Sequence, residues 1–529
     1  MPYPSARPLV FGREMVATSQ PLAAQAGLET LRAGGNAVDA AIAAAATLTV
    51  TEPTTNGLGG DAFAIVWDGR RLHGVNGSGR SGAALDRASF SVASAVPTTG
   101  WGPVTVPGAI ALWADMAARL GKLPLTTTLA PAIRYAREGY MLAPLTAQLW
   151  QRAAAAYAKR SDVEAWRATF LFGGEPPAAG SLVRLPDHAR TLEAIAASGG
   201  RDFYEGSLAK AIDAASLDGG GHIRLADLAA HTTEMSGTIF VDYRGYRLHE
   251  IPPNGQGLAA LIALGILARR DLAQLSPDCP DALHLGIEAI KLGFADAHAH
   301  VADPAHMRTT VESLLAPERL DSLAARIDLA RAQDFSAGIP KPGGTVYLCA
   351  ADSQGMMVSM IQSNYMGFGS GVVIPGTGIA MQNRGACFNR VEGHPNCVGP
   401  SKRPYHTIIP GFVTRLAARG EEPVMAFGVM GGFMQPQGHV QVLTRMVDAH
   451  QNPQAALDAP RWQWMEGLNV QLEPGFDEAT IAELRKRGHR IAVADTRSVA
   501  FGRGQAIVKM ADGWMGGSDL RGDGLAAAR

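Results

Sequence analysis

The chain has 529 residues, room for about three domains or fewer large ones. Its composition, 47% hydrophobic and 18% charged, is that of a soluble globular protein with material for a sizeable core. A net charge of −1 and a pI near 6.9 supply no basic stripe of the kind nucleic acid requires. Four cysteines (Cys279, Cys349, Cys387 and Cys397) stand at spacings that make neither a disulfide framework nor a zinc site. The longest apolar run, Ala37 to Val50, is too short to span a bilayer and carries Asp39. The first eight residues lack the apolar segment of a secretory signal. The expectation is a cytoplasmic protein with no membrane and no nucleic-acid partner.

In chain order, Pro21 opens an Ala/Leu-rich helix, Gly34-Gly35-Asn36 breaks it, and small residues resume it from Ala37. Glu52-Pro53 and the loop Asn56-Gly57-Leu58-Gly59-Gly60-Asp61 lead into a strand, Ala62 to Trp67. Residues 108–300 read as mainly helical, closing on a long helix over 283–301. In that helix His298 and His300 point about 200° apart, so they cannot chelate together. The charged stretch 305–340, ending Ile339-Pro340-Lys341-Pro342, reads as a mobile surface linker. Two β runs, 346–351 and 356–362, follow around the turn Asp352-Ser353-Gln354-Gly355, a hairpin signature. Helices near 434–448 and 477–487 and a β pattern over 491–509 complete the chain. Gly367 to Gly371 lacks the GK[ST] and the strand–loop–helix context of a phosphate loop.

This order places Thr345 at the head of a hairpin, directly after a flexible Pro-Gly-Gly stretch. A threonine hydroxyl becomes a good nucleophile when its own α-amine is the base, which requires it to be an N-terminus. Glycine at 344 tolerates the conformation from which the hydroxyl attacks the preceding carbonyl. A cut between Gly344 and Thr345 would yield a large chain, 1–344, ending in the linker, and a small chain, 345–529, beginning with the nucleophile. A threonine that merely starts a strand is the plain alternative, as is an unprocessed binding scaffold.

Several segments decide between these. They are Gly34-Gly35-Asn36-Ala37-Val38-Asp39-Ala40-Ala41, Asn56-Gly57-Leu58-Gly59-Gly60, Val106-Pro107-Gly108, Asp242-Tyr243-Arg244-Gly245-Tyr246 and Pro252-Pro253-Asn254-Gly255-Gln256-Gly257. With Thr345-x6-Asp352-x2-Gly355, Phe368-Gly369-Ser370-Gly371, Gly399-Pro400-Ser401-Lys402-Arg403-Pro404 and Ala459-Pro460-Arg461, they resemble the γ-glutamyltranspeptidase family of N-terminal-nucleophile hydrolases nearly end to end. The resemblance implies an α+β fold, a four-layer αββα sandwich built from two autocleaved chains. It implies Thr345 as nucleophile, its freed amine as proton shuttle, Gly431-Gly432 as the backbone oxyanion hole and Ser363 as the supporting hydroxyl. No cofactor and no metal enter that chemistry.

Two departures bear on substrate. Family members that act on γ-glutamyl groups hold the donor's carboxylate with an arginine, and here Ser78 stands at its place, with Arg80 two residues on. They hold the donor's amine with an aspartate before a phenylalanine, and here Cys387 precedes Phe388. A serine pair is replaced by His406-Thr407, and Arg384 adds a cation in the same region. Neutral or cationic donors without an acid suit a carboxylate without an ammonium group. The pattern resembles the amidohydrolase branch that includes oxamate amidohydrolase and cephalosporin acylases. The expected substrate is a small carboxylate-bearing amide, oxamate first, giving oxalate and ammonia. γ-Glutamyl transfer, glutathione hydrolysis and cephalosporin-acylase-like activity are the alternatives, and a Cys387 nucleophile with His406 as base is another. A homodimer of the processed pair is left open.

Overall fold

The computed structural model describes residues 6–90, 95–335, 344–418 and 420–529. Two seven-stranded antiparallel sheets face each other. One runs Leu525–Ala528, Met15–Thr18, Gly344–Ala351, Met357–Tyr365, Asp61–Trp67, Leu72–Asn76, Glu234–Ser236. The other runs Val10–Gly12, Trp514–Ser518, Arg503–Lys509, Gly420–Met430, Gly411–Ala417, Tyr246–Glu250, Ile239–Tyr243. Successive side chains of a strand point to opposite faces, and the cores divide accordingly. Phe63, Ile65, Tyr347, Cys349 and Ile361 meet Phe412, Ala426, Met430 and Ile507 between the sheets. Their neighbours Ala64, Val66, Val346, Leu348, Ala350 and Met360 face outward onto helices Pro21–Arg32, Ala37–Thr51 and Ala109–Leu120. On the far side Val413, Met425, Phe427 and Val429 pack against helices Gly257–Leu267, Pro280–His300 and Met434–Val447. The result is the four-layer αββα sandwich.

Three expectations need correction. The stretch 305–335 is not a mobile linker. It holds the helices Val311–Leu314 and Pro317–Ala325, whose Leu314, Leu320 and Leu323 are buried in the second helical core while the charged positions face outward. The end of that linker, 336–343, with Gly343, lies outside the described residues. The helical reading of 108–300 missed the hairpin Ile239–Tyr243 and Tyr246–Glu250, whose outer strand alternates half-exposed and exposed residues up to the buried Tyr243. The β pattern over 491–509 is two strands, Arg490–Val493 and Arg503–Lys509, in different sheets. Ser498 caps a short turn between them, and Gly502 turns the chain at φ 80°. Among the described residues no helix is long and apolar enough to cross a membrane.

Candidate active site

Thr345 lies in an inner strand of its sheet, flanked by Met15–Thr18 and Met357–Tyr365. It is not that strand's first residue. Gly344 pairs with Tyr365 and Val346 with Gln362, so Thr345 stands opposite a β-bulge in which Ser363 and Asn364 of the neighbouring strand face it together, a feature that locally disrupts the ladder. Its hydroxyl stands 2.7 Å from the Gly344 carbonyl oxygen and 3.2 Å from Ser363 Oγ. Ser363 Oγ donates to the same carbonyl at 2.8 Å. The direction of that bond is set by its neighbours: Tyr365 N, at 2.7 Å, and Arg384 Nη2, at 3.3 Å, both donate to Ser363 Oγ. The single Ser363 proton is thereby left for Gly344 O.

Arg384 is fully buried behind this pair. Its guanidinium lies 4.6 Å from the Tyr365 ring centroid, donates to Thr407 Oγ1 at 2.6 Å and reaches Cys387 Sγ at 3.9 Å. Its Nε is buried with no acceptor among the described residues. Burial pushes the Cys387 thiol up, against the pull of Arg384. Gly431 and Gly432 end strand Gly420–Met430 at φ 142° and 59°, backbone that favours glycine. Their amides take no acceptor among the described residues. Arg503 donates to Thr345 O at 3.3 Å and to Glu52 Oε1 at 2.7 Å, tying the Thr345 strand to the loop after helix Ala37–Thr51.

Two cavities, each of about 700 Å³, flank the strand end at Tyr365-Met366-Gly367. One is lined by Gly344, Thr345, Gly367 and Gly431 together with the 496–500 loop and the helix carrying Leu145 and Arg152. The other is apolar and aromatic, with Tyr365, Cys387, Phe388, Tyr405 and Phe433 in its wall. Sequence reading missed the 496–500 and 145–153 contributions, because nothing in either stretch carries a chemical motif.

Four sequence-derived positions behave differently from one another. Arg80 is turned away from Thr345: its guanidinium pairs with Asp303, donates to Ser401 O at 3.2 Å and lines a separate groove with His231 and Arg403. Ser78 is fully buried, donating to Asn76 Oδ1 at 2.7 Å with Asn254 Oδ1 at 3.2 Å, and lines neither cavity. His406 is also enclosed, its Nε2 3.1 Å from Asp61 Oδ2 and its Nδ1 accepting from Ile408 N. It is thus spent on Asp61 and is no base for Cys387. Thr407 is buried with its hydroxyl on Arg384. Burial raises the Asp61 carboxyl to about 6 and pushes His406 well below its usual range.

Away from the site, His284, Glu288 and His489 bring ligand atoms within 4.8 Å of one another. Lys291 Nζ lies 2.6 Å from Glu288 Oε1, and His284 Nδ1 shares a proton with His489 Nε2 at 2.8 Å. The group's one carboxylate is already neutralised, and a divalent ion would have to displace these bonds. In the Pro280–His300 helix, His298 packs its ring on Tyr405 and Phe433.

A family model described as gamma-glutamyltranspeptidase matches residues 23–529. The oxamate amidohydrolase proenzyme of Klebsiella pneumoniae is 36% identical over 522 residues, 96% of each chain. The glutathione hydrolase-like YwrD proenzyme of Bacillus subtilis is 35% identical over 525 residues, 97% of this chain and 98% of that one. Among solved structures, a cephalosporin acylase from Bacillus halodurans superposes with a TM-score of 0.95 at 49% identity, covering 100% of this chain and 98% of the other.

Proposed function

The chain belongs to the gamma-glutamyltranspeptidase family and is a hydrolase acting on amides, and from that premise we propose that it is made as a precursor that cuts itself between Gly344 and Thr345. The observation that carries this reading is the convergence of two hydroxyls, Thr345 Oγ1 and Ser363 Oγ, on the Gly344 carbonyl. In the cut, Thr345 Oγ bonds to the carbonyl carbon, the C–N bond breaks and the nitrogen takes the hydroxyl proton. Water then hydrolyses the resulting ester, leaving a Gly344 carboxylate and a free Thr345 amine. Ser363 polarises the carbonyl, and Arg384 holds Ser363 in the donating orientation. In turnover the freed amine is the base for Thr345 Oγ. The amides of Gly431 and Gly432 receive the oxyanion, where one donor is typically worth about 3 kcal/mol. The relatives named as proenzymes agree with such processing.

The substrate class is an amide that bears a carboxylate beside the scissile carbonyl, with oxamate its smallest member. The Arg384 guanidinium, buried behind the Thr345–Ser363 pair with an Nε that has no acceptor among the described residues, supports this, helped by Thr407. Cys387 leaves no acid for an ammonium group, so γ-glutamyl recognition lacks a charge-assisted contact of about 1.5–3 kcal/mol. Ser78 and His406 act on this pocket only through the network that holds it, and Arg80 has no part in it. A second reading, a bulkier acyl group, is favoured by the aromatic cavity around Tyr365, Phe388 and Phe433, far roomier than oxamate needs.

The test has two steps. Purified protein is expected to give two masses summing to the precursor plus one water, while Thr345→Ala stays one 55.5 kDa chain and is inactive. Normal cleavage in that variant would assign the cut to another group. On the processed enzyme, kcat/KM is compared for oxamate, a γ-glutamyl anilide and a glutaryl anilide. The expected order places oxamate or the glutaryl amide above the γ-glutamyl one; a tenfold lead for the γ-glutamyl anilide would overturn the pocket reading.

A further inference from the structure

The groove that Arg80 shares with His231 and Arg403 has no residue in common with either cavity at Thr345. Its volume is about 120 Å³, room for several waters or one small ion. The carboxylates around it are committed. Asp227 accepts from Ala83 N at 2.8 Å and Arg224 N at 2.9 Å. Asp303 takes Arg80 Nη1, Arg403 N and Ala305 N, and Glu234 takes Arg403 Nη1. The donors are not used up. Arg80 is half-exposed, and its Nε and Nη2 have no acceptor among the described residues. Arg403 is buried, and its Nη2 has only the Thr232 carbonyl, at 3.5 Å. Neither ring nitrogen of His231 has a partner among the described residues, although the ring lies flat on Tyr204, centroids 5.4 Å apart and planes 15° apart. Its Nε2 is shut off from solvent, so Nδ1 is the nitrogen that can meet a ligand. Burial, with the charges of Arg403 and Arg80 added, pushes the imidazole down to about 3 and keeps it neutral. A neutral ring with no acceptor at Nε2 carries its proton on Nδ1, as a donor into the groove.

We propose that this groove is a binding site for one small tetrahedral oxyanion of the phosphate class, held by the open edge of Arg80 and by His231 Nδ1–H, with Arg403 adding positive charge from behind. The Nε–Nη2 edge of a guanidinium offers two parallel donors, the arrangement that oxyanions accept as a pair. Ser401, at a left-handed φ of 48° that is uncommon outside glycine, sets its carbonyl on Arg80 Nη1 at 3.2 Å and leaves that edge free. The imidazole adds a third donor without having to be charged. Arg80 and His231 precede the Gly344–Thr345 bond, and Ser401 and Arg403 follow it. A bound ion therefore ties together the two segments that the proposed cut would separate. The binding itself does not depend on that cut.

The experiment titrates inorganic phosphate into the purified full-length protein by calorimetry, at neutral pH and constant ionic strength. Saturable binding is expected, with acetate and chloride at least tenfold weaker. Arg80→Ala and His231→Phe are each expected to weaken phosphate tenfold or more. The phenylalanine keeps a ring on Tyr204 and removes the donor, so its loss of binding is not a loss of packing. A ligand that binds only the native state raises the thermal midpoint. That rise is expected with phosphate in the wild type and is expected to be absent in both variants, each measured against its own phosphate-free midpoint. No saturable phosphate binding in the wild type, or equal binding of chloride or acetate, overturns the site. So does phosphate affinity that survives both substitutions, which would put the ion elsewhere, such as beside the arginines at Thr345.

Discussion

Asp61 shows how far one buried group can reach. Its carboxylate accepts from Gly79 N at 3.2 Å, Gly108 N at 3.0 Å and Gln382 Nε2 at 2.9 Å, and faces His406. Even so, burial outweighs these bonds and the charge of Arg384, and the carboxyl rises from 3.8 to about 6. A carboxyl raised on folding favours the native state while protonated. Its contribution is complete below pH 3.8 and is lost as pH climbs through about 6. Two units or so correspond to about 3 kcal/mol. The expected result is that unfolding free energies of the wild type minus those of Asp61→Asn slope downward from pH 4 to 6 and then level off. The asparagine turns an amide toward His406 Nε2–H, which shifts the whole difference curve by a constant. A flat curve, or one that rises, would show that Asp61 titrates normally.

At the scale of elements, the spacing Thr345-x6-Asp352-x2-Gly355 has a mechanical reason. Strand Gly344–Ala351 ends in a turn closed by Asp352, whose Oδ1 accepts from Gln354 N at 2.8 Å and Met356 N at 3.1 Å. Gly355 supplies the left-handed position at φ 93°. The other carboxylate oxygen accepts from Ala37 N at 3.0 Å, the first residue of helix Ala37–Thr51. An anion at a helix N-terminus answers both its unpaired amides and its dipole. Asn36 and Asp39 complete the cap as a reciprocal box. The turn of the Thr345 hairpin thus fixes the helix that covers its sheet. Asp352→Ala is expected to lower stability by about 1–2 kcal/mol in urea unfolding, in the range of a lost helix cap. Asp352→Asn should recover part of it. A change within about 0.5 kcal/mol, the usual size at plain surface sites, would reduce the aspartate to an ordinary turn residue.

At the scale of the molecule, neither side of the Gly344–Thr345 bond owns a sheet. Residues before it supply Met15–Thr18, Asp61–Trp67 and Tyr246–Glu250, and residues after it supply the strands between and beside them, in both sheets. Thr345's own strand has a partner from each side. All three cores draw on both segments. The processed chains are therefore expected to co-elute on gel filtration and to unfold together, with one midpoint for fluorescence and circular dichroism. Separation of a folded small chain under native conditions would contradict this shared core.

The sequence by itself determined the family and pointed to Thr345 as the proposed nucleophile, because both depend on local chemistry: a threonine after two glycines, an aspartate seven residues on, loops of glycine where side chains do not fit. It also determined the strands and helices nearest Thr345, whose apolar runs are long and unbroken. Tertiary structure alone decided which nominated side chains approach Thr345 and Ser363. Ser78, Arg80, Arg384 and His406 are alike in sequence as polar residues near a motif. Only the packing of residues hundreds of positions apart sends Arg384 to Ser363, Arg80 to Asp303 and His406 to Asp61. The same holds for 305–335, where a charged composition concealed a short amphipathic helix whose leucines find cover only in the folded core. It holds too for the cavity at Thr345, whose wall brings together Arg152, Arg497, Arg503 and Arg521, which no local pattern connects. Periodicity and motif report what a residue does with its near neighbours in the chain; a cavity is made by neighbours in space.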